Sequence, residues 1–137
     1  MSQETDKKPE NFDWVTARSS CSIGVFFERL RNQVKDDVAL RNASNPGKFY
    51  TFQFVDAGSN CFSAIVEGQL INRAVVRFSL NENNISISSI DHGGENDIAV
   101  TVTLGEDGEC RAKIRDRVYD LWQVRKITLE DLFFRAR

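Results

Sequence analysis

The 137-residue sequence predicts an α+β domain, with a long N-terminal amphipathic helix packed on a curved antiparallel sheet of six to seven strands and a short C-terminal helix. Apolar residues recur at helical spacing between residues 20 and 43, and from residue 48 onward they alternate with polar ones. The alternating segments are joined by short links rich in turn residues. Such links favour antiparallel neighbours, because a parallel pair needs a crossover of about a dozen residues or more.

The first residues differ in composition from the rest of the chain. Residues 1–11 are polar and charged and include Pro9, which predicts a disordered tail. We expect order to begin near Phe12 and Trp14, so that residues 12–137 form a single domain. With 41% hydrophobic and 28% charged residues, the composition is that of a globular chain that can bury its own core.

The segment from Ser20 to Ala43 carries the predicted long helix. Ser20 or Ser22 can cap its start, and Pro46 ends it because proline cannot continue a helix. We interpret the apolar stripe as core rather than as a binding site, since an amphipathic helix must bury one face. The stripe consists of Ile23, Phe26, Phe27, Leu30, Val34 and Val38.

Six later segments have the period of two that is typical of strands with one buried face. They are residues 48–55, 61–68, 73–80, 84–90, 98–104 and 109–115. The turn sequences between them, such as DAGSN and EDG, are those that reverse a chain within a few residues.

The C-terminal part of the sequence is less clear in its period. Residues 117–124 fit either a strand or a helix, and we favour a strand linked as a hairpin to the segment before it. A short helix is predicted from about residue 129 to residue 136, with Thr128 as N-cap and Asp131 three residues later.

Charge is distributed unevenly along a chain whose net charge is only −2. Residues 81–110 carry seven acidic and no basic residues, whereas residues 111–137 carry eight basic and four acidic ones. We expect the two blocks to neutralise each other across neighbouring strands. The alternative is a basic surface that reads an anionic partner. Binding to nucleic acid is not expected, because the net charge gives no general attraction to it.

The cysteine pattern and hydropathy suggest a cytoplasmic protein. Cys21, Cys61 and Cys110 are far apart, and we interpret them as three reduced thiols that pack as small hydrophobic residues. With no CxxC and a single histidine, the sequence predicts no metal site and no cofactor. No apolar run approaches the ~20 residues that span a bilayer. The N-terminus also lacks the apolar stretch of a signal peptide, so we expect no membrane association.

The loop DHGGEN contains the residues that most resemble catalytic groups. Asp91 could orient His92, and Glu95 or the nearby Asp97 could act as a second carboxylate, since histidine suits proton transfer near neutral pH. The same residues also fit a glycine-rich turn between two strands, and their oxygens could bind calcium. We favour the turn.

Two further sites follow from the strand pattern. The sheet face opposite the helix carries Arg73, Arg77, Arg111 and Lys113. These cations could hold an anionic ligand, or the face could be an ordinary solvated surface. The space between helix and sheet could be a ligand cavity, or it could be filled by its aromatic residues. Those residues are Phe26, Phe27, Phe52, Phe54, Phe62, Phe78 and Trp122.

These observations predict a non-catalytic binding domain whose ligand is a partner protein, a second copy of the chain or a small molecule. The alternative is a hydrolase or isomerase of a small substrate that uses His92 with Asp91 or Glu95. For protein association we single out residues 117–124 and the last helix, where one of the adjacent Phe133 and Phe134 is expected to face outward.

Overall fold

The computed structural model describes residues 9–45, 47–91 and 94–135, and contains three helices and seven strands in that part of the chain. The helices are α1 (Trp14–Ser20), α2 (Ile23–Ala43) and α3 (Leu121–Phe134). The strands are β1 (Tyr50–Asp56), β2 (Cys61–Gly68), β3 (Ala74–Leu80), β4 (Ile85–Asp91), β5 (Gly94–Leu104), β6 (Cys110–Ile114) and β7 (Arg117–Tyr119). The predicted tail lies mostly outside the described residues, and so do Pro46 and His92.

The strands form one antiparallel sheet in chain order, from β1 at one edge to β7 at the other. Each pairs only with its neighbours in the sequence, as the short turns require. The predicted α+β class and the antiparallel sheet are therefore confirmed. Among the described helices, none is long and apolar enough to cross a membrane.

Aromatic rings fill the centre of the space between the helices and the sheet. Phe62 stacks on Phe78 with their ring centroids 4.6 Å apart, and the rings of Phe27 and Phe54 lie 5.1 and 5.6 Å from it. Phe26, Leu30 and Val34 on α2 are also fully buried, which confirms that the helical stripe is core. Stacked and tilted ring contacts of this kind add to the stabilisation from burial alone.

The N-terminal helical region is divided in two. Ser22 is the N-cap of α2, and its hydroxyl accepts a hydrogen bond from the Val25 amide at 3.2 Å. The predicted single helix from Ser20 is wrong at its start, because α1 ends at Ser20 and Cys21 separates the two helices. Asp13 caps α1 in the same way, and the Thr16 backbone amide bound to that carboxylate keeps the pKa of Asp13 below its ordinary value.

A disulfide joins Cys21 to Cys110, so the interpretation of these two cysteines as reduced thiols is wrong. Their Cα atoms are 5.2 Å apart, within the usual range for a bridge. The bond ties the junction between α1 and α2 to the start of β6, across 89 residues of sequence. Cys61 is a free thiol.

The C-terminal prediction is also corrected. Only Arg117–Tyr119 is strand, and α3 begins at Leu121, seven residues before the predicted cap. Asp120 is the N-cap, and its amide donates to the Gln123 side chain at 2.8 Å. Thr128 lies inside the helix, where its buried hydroxyl donates to the Val124 carbonyl at 2.8 Å. Helical spacing prevails because it lets α3 bury one side.

Helix α2 covers the β1 edge of the sheet. The Asn42 side chain donates to the Phe52 carbonyl at 2.8 Å and accepts from the Phe52 amide at 3.0 Å. Near the other end of β1, the buried guanidinium of Arg31 binds the Asp56 carboxylate and donates to the Ser59 carbonyl at 2.7 Å. These contacts fix the orientation of α2 and with it the position of its C-terminal half.

Candidate functional site

A surface groove of about 310 Å³ lies between the C-terminal half of α2 and helix α3. Three large apolar side chains in it are well exposed: Leu40 at 68%, Trp122 at 55% and Phe134 at 67%. We call this site the α2–α3 groove. Its lining residues are Asp37, Leu40, Arg41, Ser44, Trp122, Arg125, Lys126, Phe133 and Phe134.

The helical phase explains why these apolar residues are exposed. Leu40 lies two residues beyond the last buried position of the α2 stripe, Val38, and so points away from the sheet. On α3, Phe133 is buried against Phe52 with ring centroids 5.2 Å apart, which turns the adjacent Phe134 outward. Trp122 is the second residue of α3 and lies outside the side that faces the core.

Arg41 is held in place by three contacts at this groove. The carbon at the centre of its guanidinium lies 5.2 Å from the ring centroid of Phe52 and 4.6 Å from that of Phe134. Its Nε donates to the Phe133 carbonyl at 2.8 Å, in the last turn of α3 where carbonyls lack a helical partner. Within the described ranges, its two terminal nitrogens make no hydrogen bond or ion pair.

The other charged residues of the groove are paired. Arg125 binds Asp37 through two contacts, from Nε to Oδ2 at 2.7 Å and from Nη2 to Oδ1 at 3.2 Å, and both side chains are only about one-fifth exposed. This bidentate pair joins α3 to α2 and forms one wall. Lys126 contacts Glu130 at 3.0 Å in an exposed pair on α3, which contributes little.

The predicted catalytic loop is only partly within the described residues, and His92 is not among them. Asp91 contacts Arg135 at 3.2 Å. In the β4–β5 register Glu95 faces Ile90, so Glu95 and Asp91 lie on opposite faces of the sheet. The two carboxylates therefore do not converge, and the hydrolase or isomerase alternative stays a prediction that depends on His92.

The cations of the outer sheet face are not brought together into one site. Arg73 contacts Glu67 at 2.9 Å, while Arg77 on β3 and Lys113 on β6 are exposed. Arg77 and Arg111 are three strands apart, which is about 14 Å.

Arg111 is also committed to two carboxylates. It binds Asp107 at 2.5 Å and Asp120 at 2.7 Å. The hydrogen bonds that Arg111 donates to Asp107 raise the pKa of Arg111, and the same bonds hold the pKa of Asp107 well below its usual range. Of the four cations and seven aromatic residues that the sequence suggested as ligand contacts, only Trp122 lines the α2–α3 groove.

A second crevice, of about 580 Å³, lies on the helix-facing side of the sheet beside β7. Its charges are mixed, because Asp116 lies between Arg115 and Arg117. Its apolar lining consists of Ile98, Ile114, Tyr119 and Ile127. In the described part of the chain, no group of three or more His, Cys, Asp or Glu residues is arranged to hold a metal ion.

Sequence reasoning missed Leu40 and Arg41, although a signal for Leu40 was present. It is a leucine on the polar side of an otherwise regular amphipathic helix. The environment of Arg41 could not be predicted from the helical pattern, because its contacts come from β1 and α3.

Comparison with known proteins gives no further guide to the site. No family model, no curated protein and no solved structure matches the chain. The chemistry of the groove itself is therefore the guide to function. That chemistry combines three exposed apolar side chains, one restrained guanidinium and one fixed ion pair.

Proposed function

We propose that this protein is a non-catalytic binding domain that takes an apolar segment of a partner protein into the α2–α3 groove. The observation that carries the proposal is the exposure of Leu40, Trp122 and Phe134 together in one concave site. Exposed apolar residues scattered singly are ordinary, whereas a cluster with a polar rim marks interaction sites. Tryptophan and arginine are also among the residues that contribute most to binding at protein interfaces.

The ionisable groups of the groove support binding rather than catalysis. Asp37, its one carboxylate in the described part of the chain, is held by Arg125. The remaining charged groups of its lining are arginines and a lysine, residue types that suit contact with an anion. The site thus offers apolar contacts and charge.

The disulfide bears on where such a domain works. Bridges such as Cys21–Cys110 persist in oxidising compartments and are rare where thiols are kept reduced. This counts against the cytoplasmic location expected from the sequence, which remains a prediction. We therefore propose a compartment in which disulfides persist.

A designed peptide tests the binding proposal directly. The probe is a helical peptide of about 16 residues with one stripe of leucine and phenylalanine, and helices of this kind bind in grooves between helices. Isothermal titration calorimetry measures the binding, so that the readout does not depend on Trp122 itself. We expect saturable binding that Trp122→Ala weakens by about ten-fold or more, since aromatic anchors dominate such interfaces.

Leu70→Ser is the matched control for this experiment. Leu70 is 96% exposed and lies outside the groove, so its loss removes a similar apolar surface without touching the site. Equal weakening by Leu70→Ser and Trp122→Ala, or an absence of binding up to about 1 mM peptide, overturns the proposal.

A further inference from the structure

We propose that Arg41 is a carboxylate receptor, and that the segment bound in the α2–α3 groove is an acidic amphipathic helix. This inference rests on the proposed function and names the class of partner. The apolar stripe of the helix lies against Leu40, Trp122 and Phe134, and a glutamate or aspartate beside the stripe binds the two terminal nitrogens of Arg41. The apolar side chains of the groove do not distinguish a charged helix from a neutral one, so selection of an acidic partner depends on Arg41.

The restraint of Arg41 is the first argument. A free arginine side chain loses much rotamer freedom when it binds a ligand. Here the rings of Phe52 and Phe134 and the bond to the Phe133 carbonyl already hold the guanidinium. Much of that ordering is complete before a ligand arrives, which is the condition under which a contact contributes most to affinity.

The unused donors of Arg41 are the second argument. With Nε bound to Phe133, the two terminal nitrogens remain at the groove and have no partner in the described ranges. Paired donors on a planar guanidinium match the two oxygens of a carboxylate. Asp37 does not compete for them, because Arg125 binds both of its oxygens.

The balance of charge around the groove favours an acidic partner over a second copy of this chain. Among its described lining residues are three cations, Arg41, Arg125 and Lys126, against the single anion Asp37, a net charge of +2. A large aromatic side chain can bury roughly 150–250 Å² of surface. At their exposed fractions, Leu40, Trp122 and Phe134 together offer on the order of 350 Å² of apolar surface to a partner. A stable dimer buries about 800 Å² on each partner, so a short segment fits this site better.

The test uses two peptides on the same protein. One is the helical peptide with glutamates flanking its apolar stripe, and the other is its twin with every glutamate replaced by glutamine. Wild-type protein is expected to bind the acidic peptide about ten-fold more tightly than the twin, and Arg41→Met is expected to abolish that preference. Binding of the twin should survive Arg41→Met, because its contacts are apolar.

Arg29→Met is the matched control, since Arg29 is an exposed cation of the same helix that does not line the groove. A second readout avoids reliance on the folding of Arg41→Met. In the wild-type protein, the NMR signal of the Arg41 Nε–H is expected to shift on addition of the acidic peptide and to stay in place with the glutamine twin.

The outcomes separate the two proposals. Equal binding of both peptides to wild-type protein, with no shift of the Arg41 signal, overturns the carboxylate receptor and leaves the groove as an apolar binding site. A preference for the acidic peptide that survives Arg41→Met assigns the recognition to Arg125 or Lys126 and also overturns the inference. Failure of both peptides to bind overturns both proposals. Formation of a dimer of this chain that neither peptide displaces also overturns both.

Discussion

Removal of the disulfide is expected to destabilise the protein by several kcal/mol. The perturbation is the double variant Cys21→Ala/Cys110→Ala, which leaves no thiol to form a mixed bridge with Cys61. A bond that closes a loop across 89 residues removes loop-closure entropy from the unfolded chain. The chain-entropy relation puts its contribution at about 4.6 kcal/mol at 25 °C. Small domains are stable by about 5–15 kcal/mol, so the loss is a large share of the total.

Urea unfolding followed by circular dichroism measures this change. With an m-value of roughly 2 kcal/mol/M, the midpoint is expected to fall by about 2–3 M. Wild-type protein treated with dithiothreitol should show the same fall, which separates loss of the bond from the small change in packing. Cys61→Ala is the matched control, because it removes a cysteine that belongs to no bridge.

A count of thiols gives the result that would refute the reasoning. Protein unfolded without reductant should expose one reactive thiol, that of Cys61, and all three cysteines should react after reduction. Three reactive thiols before reduction would show that the bond is absent. One thiol together with unchanged urea midpoints would show that the bond forms but that loop entropy is not how it acts.

Three further changes test the packing and the ion pairs. Asn42→Ala removes both hydrogen bonds to Phe52, and urea unfolding should show a loss of about 1–2 kcal/mol; no loss would mean that water replaces the side chain fully. Phe62→Ala empties the centre of the aromatic core and should cost about 3–5 kcal/mol by the same assay, and a cost below about 1 kcal/mol would contradict the close packing. Asp107→Asn should lower the urea midpoint at neutral pH, because Arg111 depresses the pKa of Asp107 in the folded state. That difference should be full above the unfolded pKa of about 3.9 and should vanish as the pH falls further, so a difference independent of pH would contradict the assignment.

The sheet could be predicted because alternation and short turns act locally. Residues 61–68 form β2 as predicted, and the other strands begin or end within a few residues of their predicted bounds. Successive side chains of a strand point alternately to the core and to the solvent. The pattern along one segment therefore contains most of the information that the fold uses.

The C-terminal region shows where local patterns conflict. Val118, Trp122 and Val124 alternate as in a strand, but Asp120 and Gln123 have the spacing of a capping box. Only burial on the folded sheet decides between these two readings. The same limit hid the disulfide and the α2 side of the groove, since Cys110 meets Cys21, and Arg41 meets Phe134, only after distant segments have packed.

The hydrogen bonds of Asn42 also affect how the molecule behaves in a concentrated solution. An open strand edge is a template on which another chain can add its own backbone, and this is how fibrils grow. At β1, the amide and carbonyl of Phe52 are occupied by one side chain that imitates a neighbouring strand. At the other edge, β7 offers only three residues to an incoming strand. Asn42 thus leaves the backbone groups of Phe52 unavailable to an incoming strand at one edge, and the brevity of the last strand limits pairing at the other.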